Sequence, residues 1–133
     1  MVKLRTFLVE DSPVIRDNLI ATLEELVAVT VVGFSEDEEP AVEWLCDGTN
    51  RCDLVIVDIF LKHGSGIGVL KGLRAVKRAI PIVILSNYAT PDMRRVCLDF
   101  GADAVFDKSN EIDALLHYCD QLAAGNSVAA QPR

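Results

Sequence analysis

The chain has 133 residues, half of them hydrophobic and a quarter charged, with a formal net charge of −7. That length fits one domain whose core needs no staples. The acidic balance argues against a nucleic-acid surface, which needs a basic stripe to displace counterions, and against binding to anionic lipid.

Short apolar runs alternate with longer amphipathic segments. Leu4 to Val9 reads as the first strand, and Glu10-Asp11 cuts it too short for a secretory signal. Ser12-Pro13 opens a helix, since proline is tolerated at the first helical position. Its Ile15, Leu19, Leu23 and Leu26 share one face. Val29 to Phe34 is the second strand. Ser35 is placed to cap the second helix, with Glu36 to Glu39 at the positive end of its dipole. Leu54 to Val57 is the third strand. The third helix runs from about Gly66 to Arg78, with Val69, Leu73 and Val76 on a stripe. Ile80 to Leu85 is the fourth strand. Thr90-Pro91-Asp92 starts a helix that ends before Gly101, with Met93, Val96, Cys97 and Phe100 on one side. Ala104 to Phe106 is the fifth strand. The last helix starts near Ser109 or Asn110 and buries Ile112, Leu115, Leu116 and Cys119. The small, polar end of the chain is expected to fray.

No apolar run approaches the ~18 residues a membrane helix needs. Cys46, Cys52, Cys97 and Cys119 form no CxxC pair, and His63 and His117 are not spaced with them as zinc ligands. The cysteines therefore read as small buried hydrophobes in a reducing cytoplasm. Several apolar runs are continuous, as in strands covered on both faces. Five βα units in succession predict an α/β fold, a doubly wound five-stranded parallel sheet with five helices.

In such sheets, sites form beyond the carboxyl ends of the strands. The residues there are Glu10 and Asp11 after the first strand, Asp58 after the third, Ser86 at the end of the fourth and Lys108 after the fifth. Each has a bland reading alone: a helix cap, a loop start, a turn residue, a solvated lysine. Together they put three carboxylates, one lysine and one hydroxyl at one crevice. Three carboxylates repel each other, so a cation must compensate. Mg²⁺ suits one or two carboxylates plus waters and a phosphoryl oxygen. The set is a phosphoryl-transfer kit, in which positioning and charge neutralisation do most of the work. A flavin- or nucleotide-binding domain would need a Gly- or Ser/Thr-rich loop where Glu10-Asp11-Ser12-Pro13 stands. A metal-dependent phosphatase would turn over free substrates.

The segments Leu8-Val9-Glu10-Asp11-Ser12, Val55-Ile56-Val57-Asp58, Ile84-Leu85-Ser86 and Gly101-Ala102-Asp103 leading to Asp107-Lys108-Ser109 resemble the CheY-like receiver domains of bacterial two-component response regulators. The resemblance spans Lys3 to about Leu122. It implies a receiver domain over residues 1–123, a flexible tail over 124–133, and the flavodoxin-like strand order 2-1-3-4-5. It implies that Asp58 accepts a phosphoryl group from a histidine kinase in a Mg²⁺-dependent reaction. Glu10, Asp11, Asp58 and the backbone carbonyl of Phe60 match the metal ligands. Ser86 and Lys108 match the groups that take the phosphoryl oxygens. Such a domain is a cytoplasmic phosphoprotein that catalyses only its own phosphorylation and dephosphorylation. Its partners are a sensor histidine kinase or phosphotransfer protein and a downstream protein target, or an output domain missing from this chain. It binds neither nucleic acid directly nor membrane, and it can form a homodimer through the face of helix four, strand five and helix five. The alternative is a receiver-like docking module that does not depend on phosphorylation.

Two positions depart from the family pattern. Lys62 stands where a proline is usual, four residues after the acceptor, and Val105 stands at the aromatic switch position. Phe106, beside it, is expected in the core. Phe60 and Tyr88 flank the site and are expected to modulate it by shielding an acyl phosphate from water. Arg94 and Arg95 read as a solvated face.

Overall fold

The five apolar runs all form strands: β1 (Leu4–Val9), β2 (Val29–Ser35), β3 (Leu54–Val57), β4 (Ile82–Ser86) and β5 (Ala104–Asp107). In this computed structural model, which describes residues 3–125, they pair in parallel in the order β2-β1-β3-β4-β5. Between and after them run α1 (Pro13–Leu26), α2 (Glu38–Cys46), α3 (Gly66–Ala75), α4 (Pro91–Asp99) and α5 (Ile112–Ala123). This is the expected doubly wound sheet. The tail expected over 124–133 lies, from residue 126 onward, outside the described residues.

Strand side chains alternate between the two faces. Phe7, Val9, Val55, Val57, Ile82, Ile84 and Val105 pack on one side with Leu45 of α2, Leu70 and Leu73 of α3 and Cys97 of α4. Leu4, Leu8, Leu54, Ile56, Val83, Leu85 and Phe106 pack on the other with Leu19 and Leu23 of α1 and Leu115 and Cys119 of α5. Helices on both faces are why the runs are continuous rather than alternating. Each buried aliphatic side chain contributes about 1.5–3 kcal/mol relative to exposure. Phe106 is core as expected, with its ring edge-on to Tyr118 at 5.9 Å.

Several boundaries differ from the sequence reading, each for a local reason. β4 begins at Ile82, because Pro81 has no N–H for the ladder, although its carbonyl accepts from Val55 N–H at 2.9 Å. Ser35 does not cap α2. It closes β2, and its hydroxyl accepts from Asp37 N–H and donates to Asp37 O. Asp37 is the residue at the cap, and its carboxylate is drawn away to His63 Nδ1 at 2.9 Å. α3 stops at Ala75, and Lys77 turns the chain with a φ of 56°. α5 starts at Ile112, behind a turn in which the Asp107 carboxylate accepts from Ser109 and Asn110 N–H.

Helix faces are also narrower than periodicity predicts. Leu19 and Leu23 are buried, but Ile15 and Leu26 are exposed, as are Val76, Val96 and Phe100. Ile15 lines a groove between α1 and α5 rather than the core. Phe100 lies under the ammonium of Lys71 at 4.3 Å. Of the four cysteines, Cys97 and Cys119 are buried and Cys46 and Cys52 only half-buried; all four are free thiols. Burial pushes the Cys97 thiol up to about 11 and the Cys119 thiol up to about 12, which keeps both unreactive.

Candidate functional site

From β1 the chain crosses to β2 on one side and to β3 on the other, so the order reverses between β1 and β3. A crevice opens there at the carboxyl ends of the strands. The register Val9↔Val57 sets the following residues, Glu10 and Asp58, abreast. On the other side, Ser86 pairs with Asp107, which brings Lys108 alongside. Three backbone bonds fix these positions. Glu10 N–H donates to Ser35 O at 3.0 Å, Asp58 N–H to Val9 O at 2.9 Å, and Lys108 N–H to Ser86 O at 3.0 Å.

The side chains converge as the sequence predicted. Glu10, Asp11 and Asp58 each offer a carboxylate oxygen, and these atoms lie within 4.8 Å of one another. Lys108 Nζ donates to Glu10 Oε2 at 2.6 Å and to Asp58 Oδ2 at 2.9 Å. Glu10 is almost wholly buried and also accepts Ser12 N–H through Oε1 at 3.2 Å. Ser86 is fully buried, and its hydroxyl accepts Tyr88 N–H at 3.0 Å. Phe60 and Tyr88 meet edge to face, 4.8 Å between ring centres, with each more than half exposed.

Electrostatics show what this pocket lacks. Burial pushes the Glu10 carboxyl above its ordinary value; Lys108 opposes the rise and Asp58 adds to it. Burial alone would lower the Lys108 ammonium, but its bonds to Glu10 and Asp58 outweigh that and hold it above its usual value. Both shifts mark a site short of positive charge, which binds protons more tightly than water would predict. A hard divalent cation would relieve it. The all-oxygen donor set suits Mg²⁺ better than a soft metal.

Gly66 is required by the acceptor itself. A Cβ there would lie 2.1 Å from the carbonyl oxygen of Asp58 and 2.8 Å from Val57 Cγ1. The next residues seal the turn: Gly66 N–H donates to Ile59 O at 2.8 Å, and the Ser65 hydroxyl caps α3 by accepting Gly68 N–H.

Arg94 corrects the sequence reading. It is not on a solvated face. Its guanidinium donates to Ala89 O and Val105 O, both at 2.9 Å, and pairs with Glu111. Glu111 in turn accepts Asp107 N–H at 3.0 Å. One side chain therefore joins the loop after β4, strand β5 and the start of α5. Arg95 keeps the expected exposure and pairs with Asp92 one turn back.

Among known proteins, the family model described as response regulator receiver domain matches residues 6–120. The gliding motility regulatory protein of Myxococcus xanthus is 33% identical over 124 residues, which cover 90% of this chain and 15% of that protein. The transcriptional regulatory protein YdfI of Bacillus subtilis (strain 168) is 27% identical over 96% of this chain and 58% of its own length. The chain thus spans between a seventh and three-fifths of these two relatives. A two-component response regulator of the LuxR family from Aurantimonas sp. SI85-9A1 shares the fold with a TM-score of 0.83 at 23% identity, over 96% of this chain and 90% of that one. The receiver domain of the Francisella response regulator 1452 gives 0.81 at 23% identity, over 92% and 98%.

Proposed function

The chain belongs to the response regulator receiver domain family, whose members switch on phosphorylation, and we propose that Asp58 is the phosphoacceptor through which this one does so. The observation that carries the reading is the contact of Lys108 Nζ with both Asp58 and Glu10 in a pocket of three carboxylates.

Asp58 presents Oδ1 or Oδ2 to the phosphorus of a donor phosphohistidine, and the P–N bond breaks as the acyl phosphate forms. Glu10, Asp11, Asp58 and the Phe60 carbonyl would hold Mg²⁺. Bound there, it would supply positive charge against that building on the transferring oxygens. Lys108 exchanges its bond to the Asp58 carboxylate for one to a phosphoryl oxygen. Ser86, at the same strand ends, donates a hydrogen bond from its hydroxyl to another. Phe60 and Tyr88 stand over the approach and limit access of water to the acyl phosphate.

The new charge biases the loop after β4, and Arg94 carries that bias into β5 and α5. Receiver domains interact with histidine kinases or phosphotransfer proteins, and this chain takes its phosphoryl group from such a donor. Its output face is α4, β5 and α5, read by a protein target, an output domain outside this chain or a second copy. Among the described residues no helix is long and apolar enough to cross a membrane, which fits work in the cytoplasm.

The test is the intact mass after incubation with Mg²⁺ and acetyl phosphate, and with a phosphohistidine donor. One added phosphoryl group is expected, absent in Asp58→Asn and after chelation of the metal. A mass unchanged with either donor would overturn the reading.

A further inference from the structure

Residues 58–65 join β3 to α3 and carry both Asp58 and the carbonyl of Phe60. Lys62 in this loop has no ring to fix its φ, so the loop must be held by contacts instead. The first turn of α2 supplies them. Glu38 N–H donates to His63 O at 3.1 Å, and Glu38 Oε1 accepts Ser65 N–H at 2.9 Å. Beside it, the Asp37 carboxylate meets His63 Nδ1. Ser65 faces Phe60 across an isolated antiparallel bridge. A chain of contacts therefore runs from the Glu38 carboxylate through Ser65 to Phe60, the residue whose carbonyl the proposed function assigns to the metal.

Two glycines are shaped to this one side chain. A Cβ at Gly68 would lie 2.1 Å from Glu38 Oε1, and one at Gly64, where φ is +87°, would lie 2.4 Å from Glu38 Cβ. A carboxylate seated against bare backbone at the start of α3 also complements the positive end of that helix. Gly68 sits in the first turn of α3, where glycine weakens a helix, so the absent side chain needs a reason of its own.

We propose that Glu38 is a positioning residue for the phosphoryl-transfer site. Its carboxylate, seated on Gly64 and Gly68, holds Ser65 and so keeps Phe60 where its carbonyl can serve a metal. The proposal rests on the metal-assisted reading of the acid pocket. Glu38 touches neither metal nor substrate, and it acts only through the loop.

Two readouts test it on the full chain. In metal-free protein, hydrogen exchange at Ser65 N–H reports the clamp directly. Mg²⁺ titration followed by backbone amide shifts reports its consequence. Glu38→Ala is expected to lose protection at Ser65 and to bind Mg²⁺ about tenfold more weakly, the low end of what supporting contacts around metal sites contribute. Glu38→Gln keeps an acceptor oxygen and is expected to retain both properties. Gly68→Ala displaces the carboxylate while making a better helix, so it is expected to weaken Mg²⁺ binding without unfolding the protein. In the Glu38→Ala background the same change should add nothing.

Unchanged Mg²⁺ affinity in Glu38→Ala would overturn the proposal. So would a Glu38→Gln protein as weak as Glu38→Ala, because the charge and not the clamp would then matter. Full additivity of Gly68→Ala with Glu38→Ala would overturn it too. If the wild-type chain itself binds no Mg²⁺, the reading of the pocket falls and this proposal with it. If the wild type binds and Glu38→Ala matches it, only the proposal falls.

Discussion

The ammonium of Lys108 lies 2.9 Å from the carboxylate of Asp58, although fifty residues separate them in the chain. The same ammonium is shared with Glu10, so two carboxylates compete for one cation in a pocket that water barely reaches. Removing Lys108 leaves Glu10 buried beside a like charge. Lys108→Met is therefore expected to lose about 3 kcal/mol of stability in metal-free buffer, with Mg²⁺ restoring part of it. Asp58→Asn removes one of the competing charges and is expected to gain about 1 kcal/mol, as functional sites often hold strain of that order. Denaturant unfolding with and without Mg²⁺ checks both signs.

Gly66→Ala tests how closely the loop is fitted to the acceptor. The added methyl group meets the Asp58 carbonyl rather than a flexible side chain, so the backbone itself must move. The expected loss is about 2 kcal/mol, in the range of overpacked sites. Phosphorylation by acetyl phosphate should fall with it. The comparison variant is Gly48→Ala, where a Cβ meets nothing within 4 Å and neither property should change.

Phe60 and Tyr88 make a second, independent claim. If their paired rings limit water at the acyl phosphate, Phe60→Ala and Tyr88→Ala should each shorten its lifetime severalfold. Because the rings touch, the double variant should fall short of the product of the two effects. Decay of the phosphorylated protein, followed by intact mass, is the measurement. A lifetime unchanged in both single variants would remove the shielding role.

Arg94→Met should release three elements at once and cost about 2 kcal/mol, the worth of one or two charge-assisted hydrogen bonds. Its pH signature has a definite sign. The Arg94 guanidinium beside Glu111 holds that carboxyl below its ordinary value of 4.5. Glu111 thus binds fewer protons when folded. Its contribution is complete above about 4.5 and is lost as the pH falls through the lowered folded value. Stability curves between pH 5 and pH 3 should therefore be flatter in Arg94→Met than in the wild type.

What could be read from sequence follows from where the information sits. Asp58, Ser86 and the pair Glu10-Asp11 interrupt or close apolar runs that must be strands, and parallel strands bring such ends together. Lys108 could be read for the same reason. Helix faces were less legible: Ile15, Leu26, Val96 and Phe100 keep the periodicity of buried residues but lie beyond the sheet that would cover them. Arg94 reads from sequence only as a solvated charge, and Glu38 only as part of an acidic helix start. Apart from the Arg94–Glu111 pair, their contacts are to backbone groups such as those of Ala89, Val105 and Ser65, and a main-chain carbonyl or amide leaves no mark in a sequence.

The three backbone hydrogen bonds that seat Glu10, Asp58 and Lys108 on neighbouring strands have a consequence for inheritance. The spacing of the pocket is stored in the main chain, which every sequence has in common. Side chains that neither fill the core nor hold the loops beside the crevice can therefore change and still leave its reactive atoms in the same places. Drift is then free to rewrite the outward positions of the helices without retuning the pocket beneath.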